Sequence, residues 1–244
     1  RHLTQNHAGQ VLGFAWTVIH PLAQAGIYVV IFSIVLGVRT TGAAGGTASY
    51  PAYLLSGMLP WLSCALVIGL SASGIRAQSN LVKQIVFPTE LLPLRLVLAS
   101  SVVLGIHLVV LLVYLLVTTT PAVSYLMLPV LFLLQVVALA GIAFAIAAIT
   151  VFLPDVREIL QVLISIGPFV APILYDADMA PATLRGVLWA NPFTHMVLGY
   201  HDALYYQELR HPVSWIIWPL FSVVSLCAGY RLFGRLKPFF GGVL

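Results

Sequence analysis

Charge is what this sequence has least of. Of its 244 residues only 7% are Asp, Glu, Lys or Arg, against 61% hydrophobic. A soluble domain carries about 25% charged residues. Residues 96–154 contain no formal charge at all, and further charge-free runs cover 2–38, 40–75, 159–175 and 211–230. No water-soluble fold can be built from such runs. A helix crosses a bilayer with about 20 mainly apolar residues, and that length recurs several times here. The chain reads as a polytopic, all-α membrane protein.

Other scarcities exclude further classes. The two cysteines, Cys64 and Cys227, each sit inside an apolar run and far apart, which predicts packing rather than a disulfide framework or a metal site. The only lysines are Lys83 and Lys237, and neither follows the glycines of a Walker A loop. Any ATP that drives this protein is therefore hydrolysed on another chain. Charges inside spans mark proton relays and ion paths; their near absence argues against an ion-coupled transporter. His107, in the middle of an apolar run, reads as a packing residue. No catalytic residue is assigned. The close acid pairs Asp176/Asp178 and Asp155/Glu158 are too sparse to support a membrane glycosyltransferase or polymerase, the rival from another class. No soluble stretch is long enough for a separate enzyme domain. The chain opens Arg1-His2-Leu3 without an initiator Met, which predicts that natural sequence precedes it.

Six spans are expected, at about 21–38, 52–74, 94–118, 126–152, 159–175 and 213–233. The breaks carry turn chemistry: Gly42, Gly45 and Gly46 before Pro51, the Thr118-Thr119-Thr120-Pro121 turn, and Pro154-Asp155. The fifth span is the shortest and holds Gly167, Pro168 and Pro172. An even count puts both termini on one side. That side collects Arg1, Arg76, Lys83, Arg95, Arg157, Arg231, Arg235 and Lys237, against Arg39, Arg185 and Arg210 opposite. Basic residues near span ends stay cytoplasmic, so both termini are expected in the cytoplasm. The net charge of +4 is then a topology signal, not a sign of nucleic acid.

Two domains follow. Residues 1–20 place Val11, Leu12, Ala15, Trp16, Val18 and Ile19 at helical spacing opposite Gln5, Asn6, His7, Gln10, Thr17 and His20, the pattern of an amphipathic helix lying in the interface among membrane lipids. Pro21 predicts a bend before the six-span domain, 21–244. Segment 176–212 is too apolar for a free loop of that length and predicts short external helices. Its aromatic cluster, Tyr200, Tyr205 and Tyr206, suits an interface anchor or a stacking surface for sugars. Between spans two and three, residues 75–93 mix basic and apolar side chains around Pro88 and Pro93, the make-up of a docking segment or an interfacial loop.

Several motifs occur in a fixed order. Leu12-Gly13-Phe14-Ala15-Trp16 with Pro21 comes first, then Leu55-Ser56-Gly57-Met58-Leu59-Pro60-Trp61. Asn80-Leu81-Val82-Lys83 precedes Phe87-Pro88-Thr89-Glu90-Leu91-Leu92-Pro93. Phe152, Asp155 and Arg157 follow, then Pro172-Ile173-Leu174-Tyr175 and Asn191-Pro192-Phe193. Together they resemble the ABC-2 type permeases that export O-antigens and wall teichoic acids, over nearly the whole chain. The resemblance implies a channel-forming half-transporter of the bacterial inner membrane, not an enzyme. Two copies would form the channel. Two copies of a cytosolic ABC ATPase would bind the ATP and Mg, since this chain holds no cofactor. The cargo would be a polysaccharide on undecaprenyl diphosphate, with O-antigen ahead of teichoic acid; capsule, a drug or a small glycolipid are the alternatives. Coupling and gating would fall to Asn80, Leu81, Val82, Lys83, Phe87, Pro88, Glu90, Asp155, Arg157 and Glu158. Arg76, Lys83 and Arg95 are candidates for the diphosphate, because cationic side chains suit phosphate oxygens. Tyr28, Phe32, Trp61 and Phe87 are candidate channel aromatics.

Overall fold

The structure, a computed structural model, describes residues 15–35, 37, 49–78 and 88–243. Every regular element among them is helical. In chain order these are α1 (Ala15–Val29), which runs on into a π-helical turn Val30–Val35, α2 (Tyr50–Gly74), α3 (Leu91–Thr118), α4 (Leu128–Phe152) and α5 (Val156–Val170). Then come α6 (Ala182–Ala190), α7 (Pro192–His201), a second π-helical turn Asp202–Tyr206, α8 (Ser214–Leu236) and the short α9 (Phe240–Val243).

Four helical runs are long and apolar enough to cross a membrane: Tyr50–Gly74, Leu91–Thr118, Val123–Phe152 and Ser214–Val243. They coincide with the second, third, fourth and sixth expected spans. The other two runs differ from expectation. Pro21 lies inside α1, so residues 15–20 are continuous in helix with the run that follows. A proline costs a helix one backbone bond but is tolerated where neighbours supply the missing partner. Residues 1–14 of the expected interface helix lie outside the described residues. The fifth run is helical from Val156 to Val170 only. At about 1.5 Å per residue, its 15 residues fall well short of a bilayer. Pro168 sits inside it, and the segment before Asp176, which contains Pro172, is not helical.

The tyrosines of α2 supply what that irregular segment needs. Tyr50 donates its hydroxyl to the Leu174 carbonyl at 3.0 Å. The Tyr53 hydroxyl is shared between the carbonyls of Pro172 at 2.9 Å and Tyr175 at 2.6 Å. Carbonyls that a non-helical segment leaves without helical partners are thus capped by side chains of α2, as a water-poor interior demands.

α2 is the centre of the bundle. Two-thirds of its most apolar stretch (67%) is buried, against 22% for the last span, which packs at the periphery. Around Pro60, α2 is braced from α4 by Gln135, which is fully buried. Gln135 Nε2 donates to the Pro60 carbonyl at 3.0 Å, and its Oε1 accepts the Tyr200 hydroxyl of α7 at 2.8 Å. One amide therefore ties three helices. Gln135→Leu is expected to cost about 1–3 kcal/mol, because it leaves the Tyr200 hydroxyl buried without a partner. The thermal midpoint of the solubilised protein would report it. Adding Tyr200→Phe should recover part of the loss, and a double variant no better than the single would sink the account.

α8 meets α4 with the backbones in contact. A Cβ at Gly229 would overlap the Gly141 carbonyl, and one at Gly141 would overlap the backbone of Ser225. Ser225 Oγ adds a bond to the Ala138 carbonyl at 3.1 Å. Small residues let helix backbones approach this closely where lipid provides no hydrophobic drive.

Candidate functional site

Between α1, α2, α3 and α5 lies a cavity of about 440 Å³. α1 presents His20, Gln24 and Tyr28 to it; α2 presents Met58, Trp61 and Ser63; α3 presents Ser100 and His107; α5 presents Ser165 and Pro168. Among the described lining residues there is no acid and no base other than imidazole. Half of the wall is aliphatic or proline, Leu62, Leu66, Val103 and Ile164 among it; the other half is hydroxyls, one amide, two histidines and two aromatic rings. Ser63 and Ser100 hold its α2–α3 seam, hydroxyl to hydroxyl at 2.7 Å. Such a surface offers hydrogen bonds and flat apolar faces without a field that selects ions.

α5 is the partition of this site. Ser165 and Pro168 face this cavity, while Leu163, Ile166 and Val170 border an apolar cleft of about 390 Å³. Trp61 reaches both. Its ring fills the space where Gly167 would carry a side chain, and it meets Phe193 edge-on at 5.4 Å. A bulky residue at position 167 would displace the very ring that closes the cavity.

Three of the four candidate channel aromatics can be located. Tyr28 and Trp61 line the cavity. Phe32 does not, but it stacks on Tyr28 at 6.4 Å. Phe87 lies outside the described residues. From Phe32 the ring series continues through Tyr50, at 6.4 Å, and Tyr53, at 6.3 Å from Tyr50, to His201 at 4.1 Å. Sequence reasoning missed Tyr50 and Tyr53, although two tyrosines three apart on a helix share a face.

His201 is fully buried against Tyr53. Burial first, and then the neighbouring His211, push its pKa down to about 3, against a smaller upward pull from the Tyr53 carbonyl. The imidazole is neutral at physiological pH. Beside it, Asp202 is also fully buried and accepts three donors. His211 Nδ1 lies at 2.6 Å from its Oδ1; the His211 backbone N–H and Trp215 Nε1 each lie at 3.0 Å from its Oδ2. Nothing in the sequence singles Asp202 out. It is the clamp between the end of α7 and the start of α8.

At the opposite end, Arg76 donates from Nη2 to the Val151 carbonyl at 2.8 Å. It serves as a cap on the last turn of α4, where carbonyls lack intrahelical partners. Arg95 is half-buried in the first turns of α3, while Asp155, Arg157 and Glu158 are exposed at the start of α5. Glu158 lies in the first turn, where the helix dipole favours an acid. Asn80, Leu81, Val82 and Lys83 lie outside the described residues. Pro88 is exposed and Glu90 half-buried, directly before α3. The structure gives Glu90 a partner that the sequence did not suggest: Lys237 Nζ, at 2.7 Å, from the far end of α8.

Burial raises the Glu90 pKa, but the Lys237 hydrogen bond and charge, with a backbone bond, outweigh it and leave the pKa below its usual value. A carboxylate depressed in the folded state stabilises above its unfolded pKa and loses that contribution as pH falls through the folded value. Both side chains are about a third exposed (31% and 38%), so solvent screening keeps the pair to about 1 kcal/mol or less. Glu90→Gln is expected to lower the thermal midpoint slightly at pH 7 and to change nothing at a pH low enough to protonate the folded carboxyl. An equal effect at both pH values would rule the ion pair out as its cause.

Residues 1–205 match the family model described as ABC-2 type transporter. The chain is similar to an O-antigen export system permease protein RfbA of Klebsiella pneumoniae, 26% identical over 246 residues that cover 100% of this chain and 92% of that protein. It is similar to the RfbA of Myxococcus xanthus, 26% identical over 239 residues, covering 96% of this chain and 88% of the relative. It also resembles the polysialic acid transport protein KpsM of Escherichia coli, 23% identical over 224 residues, covering 91% and 85%.

Proposed function

Because the chain belongs to the ABC-2 type transporter family, we propose that it is the membrane subunit of an exporter that carries a lipid-linked polysaccharide, of O-antigen type, across the bacterial cytoplasmic membrane. The observation that carries this reading is the cavity between α1, α2, α3 and α5. Its described wall has no formal charge, and it offers Tyr28 and Trp61 beside hydroxyl and amide groups. Sugar CH faces stack on aromatic rings as other apolar faces do, and sugar hydroxyls pair with the polar rim. The relatives named as O-antigen export permeases support the cargo class.

In this reading α1 is the first of six spans and α5, completed by the non-helical segment up to Asp176, the fifth, with both termini in the cytoplasm and α6 and α7 on the outer side. Two copies form the channel, and two copies of a cytosolic ATPase bind ATP and Mg and drive it. Asn80, Leu81, Val82, Lys83, Phe87, Pro88 and Glu90, together with Asp155, Arg157 and Glu158, transmit the stroke. Arg76, Lys83 and Arg95 meet the diphosphate of the carrier at the cytoplasmic end, where the basic residues of the chain gather. Arg76 supports this role least, since its guanidinium already caps α4.

The test is to delete the gene and measure lipid-linked glycan inside the cell and polysaccharide at its surface. Polymer trapped inside and missing outside is expected. Restoration by the wild type but not by Tyr28→Ala, at equal protein level, would tie the phenotype to the cavity. Loss of polymer from both places would point to synthesis instead, and no change in either would overturn the proposal. A second reading, export of a capsular polymer, is favoured by the similarity to a polysialic acid transport protein; the composition of the trapped glycan separates the two.

A further inference from the structure

A second cavity, of about 450 Å³, opens where α6 and α7 meet the start of α8. Trp189, Arg210 and His211 stand on its wall, and Val213 and Ile217 continue it onto α8. Trp189 is 39% exposed. Arg210 is held in place: its guanidinium lies 4.6 Å from the Tyr206 ring centre, and Nη2 reaches Asp178 at 3.4 Å. His211 is oriented by Asp202, which takes Nδ1 and leaves Nε2 turned to the other side of the ring. No carboxylate is among the described lining residues. Of the two acids nearby, Asp202 is buried and saturated by its three donors, and Asp178 is largely in solvent.

Position adds to chemistry. Arg210 and His211 lie within one helical turn of Ser214, the start of a helix long and apolar enough to cross a membrane, the depth at which lipid phosphates lie and where tryptophan and arginine anchor. Below them Val213, Ile217, Leu220 and Val224 recur at i, i+4, i+7 and i+11, one stripe of the helix. Val213, Leu220 and Val224 are exposed. A cationic mouth with an aromatic wall and an apolar track leading down the helix matches an amphiphile with an anionic head.

We propose that this cavity binds the headgroup of an anionic glycerophospholipid, with the phosphate between Arg210 and His211 and an acyl chain along the Val213–Val224 stripe. Charge complementarity selects the occupant. A juxtamembrane cation favours an anionic over a zwitterionic lipid by about five-fold. The site depends on α8 crossing the bilayer and not on what the protein exports.

Fluorescence quenching in vesicles tests this. Protein is reconstituted in phosphatidylcholine with brominated phosphatidylglycerol or brominated phosphatidylcholine, and the signal of Trp189 is taken as the difference between wild type and Trp189→Phe. Phosphatidylglycerol is expected to bind about five-fold more tightly. Arg210→Gln should bring the ratio to near one, and Asp178→Asn, which frees Arg210 from its counter-ion, should raise it. A wild-type ratio near one overturns the proposal, and so does a ratio that Arg210→Gln leaves unchanged. Should Arg210→Gln fail to fold, Asp178→Asn decides alone, and an unchanged or lower ratio there counts against the site. If trace polyprenyl phosphate displaces the brominated lipid while equal unlabelled phosphatidylglycerol does not, the occupant is an isoprenoid carrier and the assignment falls.

Discussion

Gly229→Ala should remove about 2 kcal/mol or more of stability, although alanine is the better helix former. In an exposed helix the exchange gains about 1 kcal/mol. Here the new methyl would overlap the carbonyl of Gly141. The obstacle is backbone, so no rotamer change relieves it, and α8 must move off α4. Overpacking of a rigid site costs about 1–3 kcal/mol and more for larger groups, so Gly229→Leu should yield no correctly assembled protein. The internal control is Gly234→Ala on the same helix, where an added Cβ meets nothing within 4 Å. That variant should match or exceed the wild type. Thermal midpoints from fluorescence-detected size exclusion compare them, and equal midpoints for the two alanine variants would refute the backbone contact.

Asp202→Ala should be the most damaging change outside the spans. It strands the His211 backbone N–H, the His211 ring and the Trp215 indole at once. Removing one partner of a buried polar cluster costs about 3–5 kcal/mol. The damage has a location. Gln207, at φ 58°, closes the π-helical turn in the left-handed region, and the chain from there to α8 is held by this carboxylate. Limited proteolysis should therefore cut the variant between 207 and 213 while the wild type resists. A variant that resists equally well would show that Asp202 is not the clamp.

Four of the helices were legible from charge-free runs alone, and turn residues placed their ends to within three residues: 52–74 against Tyr50–Gly74, and 213–233 against Ser214–Leu236. Where proline intervenes the reading loosens. Pro21 does not interrupt α1, while Pro168 and Pro172 accompany the early end of α5, because whether a helix survives a proline depends on what its neighbours can donate. For the site, Tyr28 and Trp61 could be picked out as aromatics in apolar runs. Gln24, Ser63, Ser100 and Ser165 could not, since small polar residues scattered over four helices carry no pattern until the helices are packed. His107 is buried, as a packing residue should be, and also lines the cavity. Asp202 is the plainest miss. Its burial depends on donors nine and thirteen residues away, a spacing with no helical or strand meaning.

The glycine contact between α4 and α8 also bears on how the protein is made. Ribosomes add about 5–20 residues per second, so α4 is in the bilayer for seconds before α8 exists. Throughout that interval the notch at Gly141 is open, with lipid or an insertion factor covering it in place of its true neighbour. The last span is mostly exposed within the chain and locks chiefly to α4, so its arrival is a distinct late step in biogenesis.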